Sequence, residues 1–191
     1  MPKIVKKEEK RRQIAKSTCG LFIEKGFVNI SISEIAKVAG IGKGTVYEYF
    51  KNKEDIVFEL MSCLQDDYDP KLQHNLEEAK DVLEKVLYLF DIFLNDSETI
   101  VIQRQIYKEF LAISMNNPSD AIIEYQTNLK NKYLKVLSDI IDNGIKENKL
   151  KKEAIDFVPS IYATFQGYFI MSEDKEVILK YIHDLFRLLE E

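Results

Sequence analysis

Two short segments with the periodicity of an α-helix meet at a glycine-bearing turn between residues 31 and 50. The first begins at Ser31-Ile32-Ser33-Glu34, whose S-x-x-E form predicts a capping box. In such a box the serine hydroxyl and the glutamate carboxylate each bond a backbone N–H that the helix start leaves without a partner. Gly40 ends this helix, and helical spacing resumes at Lys43 and continues to Phe50. Two short helices joined in this way predict a helix-turn-helix.

The rest of the chain also has helical spacing of its apolar residues, and no strand-like alternation persists. One helix is predicted before the motif, from Glu8 to Lys25, and another after a turn at residues 51–54 that Asn52 caps. Pro70 is expected to interrupt or kink that helix, because proline removes a donor and disfavours helical geometry at Asp69. Later helices are predicted at residues 76–94, 98–115, from an Asn117-Pro118 start signal to about Lys146, 154–171 and 176–189, with a polar break at 148–152.

These segments predict an all-α protein of about nine helices in two domains. Residues 1–53 are predicted to form a three-helix domain that contains the helix-turn-helix, and residues 54–191 a second, larger helical domain. The net charge is -5, yet residues 1–53 hold 12 Lys/Arg against 5 Asp/Glu. A basic head favours nucleic acid as a partner, whereas a uniformly acidic protein would repel it.

Basic residues near the N-terminus are candidates for minor-groove or phosphate contacts, with a solvated tail as the alternative. They are Lys3, Lys6, Lys7, Lys10, Arg11 and Arg12.

Other function classes find little support in the sequence. No window is long and apolar enough to cross a membrane and the chain start has no apolar signal core, so a cytoplasmic protein is expected. Cys19 and Cys63 lack metal-ligand spacing and are expected to pack as small apolar groups, with a redox role left open. No Ser/His/Asp set, phosphate-binding glycine loop or zinc spacing is present, so neither an enzyme nor a cofactor is expected.

One catalytic alternative comes from Asp66, Asp67 and Asp69, whose carboxylates are the ligand type that magnesium prefers. A metal-dependent helical enzyme would need a second acidic cluster facing this one. Glu77-Glu78 lies too near in sequence to serve and has the pattern of a solvated helix start.

The motifs around the helix-turn-helix resemble the TetR family of bacterial transcription regulators. The matching residues are Gly26-Phe27, Ser31-Ile32, Glu34-Ile35-Ala36, Ala39-Gly40-Ile41, Gly44-Thr45-Val46-Tyr47, Tyr49-Phe50 and Lys53-Glu54-Asp55-Ile56. They occur in the family's order and spacing, while the remainder of the chain resembles the family in helix pattern and length. Gly42 and Ile30 depart from it, since the family commonly has a small residue such as serine at the first position and threonine at the second.

The resemblance implies that the second helix of the motif enters the major groove of DNA. Gly44 permits close approach to base edges, and Lys43 reaches a guanine or a phosphate. The hydroxyl groups of Thr45 and Tyr49 suit phosphate oxygens, and Tyr47 suits either bases or phosphates. The full set of expected DNA-binding residues is Ser31, Ser33, Lys43, Gly44, Thr45, Tyr47, Tyr49 and Lys53.

The resemblance also implies a homodimer that binds a palindromic operator and responds to a small effector. Residues 1–53 would be its DNA-binding domain, and residues 54–191 its effector-binding and dimerisation domain. Repression is the expected outcome and activation the alternative. Effector pockets are mostly apolar with few polar groups, so aromatic residues within 76–171 are the candidates, and core packing is the alternative for each. They are Phe90, Phe93, Tyr107, Phe110, Tyr125, Tyr162, Phe165, Gln166 and Phe169. Such a lining favours a lipophilic or aromatic effector.

The last two predicted helices are apolar on more than one side, which is typical of deep core or of a subunit interface. Two such helices from each subunit would build a four-helix seam. The expected interface residues are Phe157, Ile161, Tyr168, Ile178, Tyr181, Ile182, Leu185, Phe186 and Leu189. A helical dimer that binds only protein partners is the remaining alternative, and the basic head opposes it.

Overall fold

The computed structural model describes residues 3–116, 119–171 and 174–191. Within these ranges the α-helices are α1 (Lys3–Ser17), α2 (Cys19–Lys25), α3 (Ile32–Val38), α4 (Lys43–Tyr49), α5 (Lys53–Glu78), α6 (Val82–Leu89), α7 (Asp91–Leu94), α8 (Glu98–Asn116), α9 (Asp120–Lys146), α10 (Val158–Met171) and α11 (Lys175–Leu189). A 3-10 helix covers Lys152–Phe157. These ranges contain no β-strand, only an isolated bridge between Leu150 and Glu190, so the all-α prediction is confirmed.

The helix predicted over residues 8–25 is two helices, α1 and α2, and it starts earlier than expected. The break lies at Thr18, whose hydroxyl donates to the Ala15 carbonyl oxygen at 2.6 Å. The backbone N–H of Thr18 donates to the same oxygen at 3.0 Å. This local side-chain bond competes with the helical bond and tightens the turn, which explains the break.

The interruption expected near Pro70 is wrong, because α5 continues through it to Glu78, whereas the alternative of a kink stays a prediction. The chain breaks instead before α6, where the Asp81 carboxylate accepts the N–H of Glu84 at 2.8 Å and caps the new helix. The single helix expected over residues 76–94 is therefore the end of α5 followed by α6 and α7.

Later boundaries are close to the predictions. Helix α8 ends one residue after the predicted end, and α9 ends at Lys146 as expected, while the Asn117-Pro118 start signal lies outside the described residues. The polar break at 148–152 is confirmed by Asn148, which has a φ of 55°. The 3-10 helix takes up the start of the segment predicted as 154–171, so α10 begins at Val158.

The chain divides into two compact units. The first contains residues up to Pro70 together with Ser97–Ser119, and the second contains Lys71–Asp96 and Asp120–Glu191. Buried side chains at the centre of the first unit include Ile14, Phe22, Ile35, Val46, Phe50 and Leu60. Those of the second include Val86, Phe90, Leu137, Ile161, Phe165 and Phe186. Helix α8 thus belongs with the basic head, and the predicted domain boundary after residue 53 stays a prediction.

Candidate nucleic-acid interface

The start of α3 is held by the predicted capping box. The Ser31 hydroxyl accepts the N–H of Glu34 at 3.3 Å, and a Glu34 carboxylate oxygen accepts the N–H of Ser31 at 2.9 Å. Lys25, at the end of α2, donates to the other Glu34 oxygen at 2.7 Å. This bond from Lys25, followed by those from Ser31, lowers the pKa of Glu34 to about 2. One carboxylate therefore fixes the beginning of α3 to the end of α2.

The turn between α3 and α4 depends on glycine. Gly40 has a φ of 65°, a conformation that residues with a Cβ adopt at a cost. It lets the N–H of Ile41 reach back to the Ala36 carbonyl oxygen at 3.0 Å, which closes the end of α3. Gly42 is extended and its carbonyl oxygen accepts the N–H of Val46 at 3.2 Å. The two short helices of the predicted helix-turn-helix are therefore present and adjacent.

Helix α4 has one buried and one exposed face. Val46 is fully buried and the following Phe50 is 2% exposed, which anchors the helix. On the opposite face Lys43 and Gly44 are exposed, and Tyr47 is 53% exposed. A Cβ added at Gly44 would meet no atom within 4 Å, so the backbone here is open to close approach. This exposed face of α4 is the candidate nucleic-acid interface.

Other expected DNA-binding residues lie around this face. Ser33 is exposed in the first turn of α3, and Thr45 and Tyr49 are half-buried on α4. The Ser31 hydroxyl is exposed, but it already donates to Glu34 at 2.8 Å in addition to its capping bond. Ser31 thus caps α3 through its bonds with Glu34, in addition to any contact with DNA.

Lys53 has a task that the sequence did not indicate. Its Nζ donates to the carbonyl oxygens of Phe27 (2.8 Å), Val28 (3.3 Å) and Ile30 (2.9 Å), and lies 4.4 Å from the centre of the Phe27 ring. An ammonium group has three donors, so these carbonyls use them all. Lys53 therefore holds the segment between α2 and α3 rather than presenting its charge outward.

The basic residues of α1 divide into two groups. Arg11 bonds Glu59 at 2.9 Å and the Tyr49 carbonyl oxygen, and stacks over the Phe50 ring at 4.5 Å. Arg12 pairs with Asp66 at 2.6 Å. Lys6 and Lys7 are exposed and Lys10 is half-buried, while the side chain of Lys3 lies outside the described part of the structure. Arg11 and Arg12 therefore join α1 to the helices beside it, whereas Lys6 and Lys7 remain on the surface.

Comparison with known proteins agrees with this geometry. Residues 14–60 match the family model described as bacterial regulatory proteins, tetR family. The Fatty acid metabolism regulator protein of Bacillus subtilis (strain 168) is 27% identical over 149 residues, which are 76% of this chain and 73% of that protein. A TetR family transcriptional regulator from Cytophaga hutchinsonii has the same fold, with a TM-score of 0.80 at 18% identity over 97% of this chain and 96% of its own. Residues 14–60 therefore carry the helix-turn-helix of the TetR family.

Another solved structure of this fold is a transcriptional regulator from Saccharomonospora viridis in complex with choline, with a TM-score of 0.79 at 18% identity. It covers 96% of this chain and 98% of its own. The family match and the named relatives support a DNA-binding transcription regulator with a helix-turn-helix. None of the helices in the described residues is long and apolar enough to cross a membrane.

Two of the three aspartates in the acidic cluster of α5 pair with basic residues of α1. The Asp66 and Asp67 carboxylates pair with Arg12 and Lys16, each at 2.6 Å, and Asp69 accepts from Gln65 at 3.1 Å. The bond to Asp66 raises the pKa of Arg12. Among the residues that the structure describes, no group of three His, Cys, Asp or Glu side chains could hold a metal ion. These ion pairs give the cluster a role in joining α1 to α5.

Neither cysteine is fully exposed. Cys63 is buried in α5 and Cys19 is half-buried in α2, and burial raises the pKa of both thiols. A raised thiol pKa lowers the thiolate fraction at neutral pH and with it the reactivity. Both thiols are therefore in environments typical of packing.

The expected effector-binding residues separate into two groups. In the second unit Phe90 stacks on Phe165 with ring centres 4.0 Å apart, and Phe93 lies 4.8 Å from Phe169. Tyr162 joins this aromatic cluster 6.2 Å from Phe90. Burial raises the pKa of Tyr162, and a side-chain hydrogen bond from Gln166 opposes that shift. The cluster thus combines aromatic rings with one hydroxyl–amide pair.

Two other expected residues lie outside this cluster. Tyr107 and Phe110 belong to the first unit, where Phe110 packs edge-on against Phe58 at 5.8 Å. Tyr125 is half-buried on α9. The cluster gains Tyr133, which the sequence did not single out and whose ring is 6.4 Å from that of Phe90. The second unit also has a cleft of about 370 Å³, and none of the expected effector-binding residues lines it. Its lining is Asp81, Val82, Leu83, Asn148, Lys149, Leu150, Phe186, Glu190 and Glu191.

The expected dimer-interface residues also separate by burial. Five are at most 4% exposed and are buried within the single chain: Ile161, Ile178, Ile182, Phe186 and Leu189. Phe157 and Tyr181 are 39% and 60% exposed, and Tyr168 and Leu185 are half-buried. Four exposed apolar side chains that were not expected lie on the same two helices: Ile170, Met171, Val177 and Leu188. Apolar spacing identified both helices but not which face of each is buried within the subunit.

Proposed function

We propose that the protein is a homodimeric repressor that binds a palindromic operator and is released by a small lipophilic or aromatic effector. The single observation that carries the DNA-binding part is the exposed face of α4, where Lys43, Gly44 and Tyr47 stand opposite the buried anchors Val46 and Phe50. A chromosomal operator places the protein in the cytoplasm.

The proposed contacts follow from exposure and chemistry. Lys43 and Tyr47 reach base edges, and the open backbone at Gly44 allows α4 to enter the major groove closely. Ser33, Thr45 and Tyr49 bind phosphate oxygens at the edges of the face. Because about six phosphates neutralised per dimer release their counterions, the logarithm of affinity falls against the logarithm of salt concentration with a slope of about −5.

The test of DNA binding uses duplex DNA from immediately upstream of the gene, followed by fluorescence anisotropy over a range of salt concentrations. Lys43→Ala and Tyr47→Ala each weaken specific binding, whereas Lys130→Ala, which removes the same charge from an exposed site on α9, leaves it unchanged. A salt slope near zero, or equal affinities for all four proteins, would contradict the proposed interface.

Exposed apolar surface supports the homodimer. Val177, Tyr181 and Leu188 are 48%, 60% and 71% exposed and share one face of α11, being separated by four and seven residues. A second copy of the same surface is the usual cover for such a stripe in a symmetric dimer. Two subunits then present two α4 helices to two half-sites, which accounts for a palindromic operator.

The aromatic cluster of the second unit supports the effector class. Aromatic rings line sites for lipophilic ligands and for quaternary ammonium groups alike, and the Tyr162–Gln166 pair offers a polar anchor. One relative is named for fatty acid metabolism, and one structural neighbour was crystallised with choline. We place the effector site at this cluster.

The effector test measures operator release by fatty acids of increasing chain length and by choline. An effector releases the wild type, and Tyr162→Phe shifts its half-effective concentration by about 5-fold or more, because a hydrogen bond to the ligand is lost. Tyr88→Phe removes a hydroxyl that bonds Glu84 instead and leaves that concentration unchanged. A reporter gene placed behind the operator shows higher expression with effector if the protein represses, and the opposite result would make it an activator.

A further inference from the structure

The segment between α2 and α3, residues 26–30, is held from two sides by opposite charges. On one side the Glu109 carboxylate of α8 accepts the N–H of Phe27 at 2.7 Å, across 82 residues of sequence. On the other side the Lys53 ammonium bonds the carbonyl oxygens of Phe27, Val28 and Ile30. An anion on the donor side and a cation on the acceptor side fix the segment through charge-assisted bonds, which are stronger than neutral ones.

Gly26 allows the carboxylate to come this close. Its φ is 70°, and a Cβ at this position would lie 3.3 Å from a Glu109 oxygen. Helix α8 makes a second bond to the same region one turn earlier, where Gln105 donates to the Ile23 carbonyl oxygen at 3.2 Å. Glu109 and Gln105 on α8 therefore both bind the end of α2 and the segment that follows it.

The held segment leads directly into the helix-turn-helix. Ile30 is 3% exposed, and Ser31 is the N-cap of α3, whose capping partner Glu34 also bonds Lys25. Any displacement of residues 26–30 therefore moves both the start of α3 and its connection to α2. Helix α4 packs against α3, so the presentation of its exposed face depends on this segment.

We propose that Glu109 is a positioning residue for operator binding: it acts on DNA affinity by holding residues 26–30, without touching DNA. This assignment rests on the operator binding proposed above. The carboxylate belongs to α8, while the recognition residues belong to α4. Glu109 thereby links α8 to the DNA-binding face.

Removing the Glu109 carboxylate has two possible effects on DNA affinity, and they act in opposite directions. Removing one negative charge from a protein raises its affinity for any DNA, because a polyanion is repelled less. Loss of positioning has the opposite effect and acts only on the specific operator, whose base contacts need the correct placement of α4. The ratio of specific to non-specific affinity therefore separates the two effects.

The experiment compares the wild type with Glu109→Ala, Glu109→Gln and the control Glu124→Gln, an exposed glutamate on α9. The probes are an operator selected from random duplex DNA by the wild type, and a scrambled duplex of the same length. Glu109→Ala binds the operator about 10-fold more weakly, within the usual range of coupling between sites. Glu109→Gln is intermediate because its amide oxygen still accepts the Phe27 N–H, and all variants bind scrambled DNA as well as the wild type or better.

Hydrogen exchange of the Phe27 amide, measured without DNA, tests the contact itself. Exchange becomes about 10-fold faster in Glu109→Ala and is unchanged in Glu124→Gln. Unchanged Phe27 exchange, unchanged or tighter operator binding by Glu109→Ala, or an equal loss on operator and scrambled DNA would each overturn the proposal. If the wild type selects no operator, the repressor function fails, while the exchange data still decide whether Glu109 holds the segment.

Discussion

At the scale of single residues, Glu34 concentrates several interactions at the start of α3. Its carboxylate accepts from Lys25, from the Ser31 N–H and from the Ser31 hydroxyl, and its pKa falls to about 2. A carboxylate whose pKa is lower in the folded state stabilises the fold above its unfolded pKa, here near 4.5. That stabilisation is lost as the pH falls from about 4.5 toward 2.

We expect Lys25→Met to raise the pKa of Glu34 part of the way to 4.5, because the Lys25 bond is the largest cause of the shift and the Ser31 bonds remain. The titration is followed by NMR through the side-chain carboxyl carbon of Glu34. Lys37→Met, which removes an exposed lysine from α3, the helix of Glu34 itself, leaves the midpoint of the Glu34 titration unchanged. A wild-type midpoint near 4.5 would mean that the network around Glu34 is absent.

How far sequence can predict such a site depends on the distance along the chain between its partners. The Ser31–Glu34 box was predicted because its members are three residues apart. The bonds of Lys53 to Phe27 and of Arg12 to Asp66 span 26 and 54 residues, and no local pattern indicates them. Counting basic residues therefore predicted the charge of the head, but not that Lys53, Arg11 and Arg12 are used to hold it together.

At the scale of elements, α5 continues through a proline that the local sequence rule predicts to break it. Proline inside a helix costs about 3 kcal/mol, which is why an interruption was expected at Pro70. Tyr68 and Leu72 on either side of it are 8% and 7% exposed, and burying each such side chain contributes roughly 1.5–3 kcal/mol. The gain offsets the cost of the proline. Burial of this kind depends on neighbours that the sequence does not reveal.

Gly144 and Gly20 provide a matched test of packing between helices. A Cβ at Gly144 in α9 would lie 2.9 Å from Val82 Cγ2 and 3.1 Å from Leu150 Cδ1, whereas one at Gly20 in α2 would meet nothing within 4 Å. Alanine favours a helix over glycine by about 1 kcal/mol, while overpacking costs about 1–3 kcal/mol.

Gly144→Ala should therefore lower the free energy of unfolding by up to about 2 kcal/mol, and Gly20→Ala should raise it by up to about 1 kcal/mol. Urea unfolding with unchanged m values measures both. A change of the same sign in both variants would show that the close approach of α9 to α6 is not what glycine provides.

At the scale of the whole molecule, α11 carries apolar side chains on two faces. Ile178, Ile182 and Leu189 are buried within the protomer, while Val177, Tyr181 and Leu188 remain exposed. On α10 the exposed Ile170 and Met171 lie near Gly167, where an added Cβ would meet nothing within 4 Å. The proposed homodimer would cover this exposed surface with a second copy of the chain. Substitutions there leave the buried core intact.

We expect Leu188→Glu and Tyr181→Glu to be folded monomers, because both side chains are exposed in the protomer and only a dimer would bury the new charge. Sedimentation equilibrium measures the mass, and Ile123→Glu, at a 50% exposed apolar site on α9, serves as the matched control that stays dimeric.

A monomer reaches one half-site at a time, so its operator affinity falls by about 100-fold or more when the second, linked contact is lost. The salt slope also falls to about half, because half as many phosphates are neutralised per binding event. Dimeric mass and full affinity in Leu188→Glu would place the dimer interface on another surface, whereas a monomer with an unchanged salt slope would contradict the two-half-site operator.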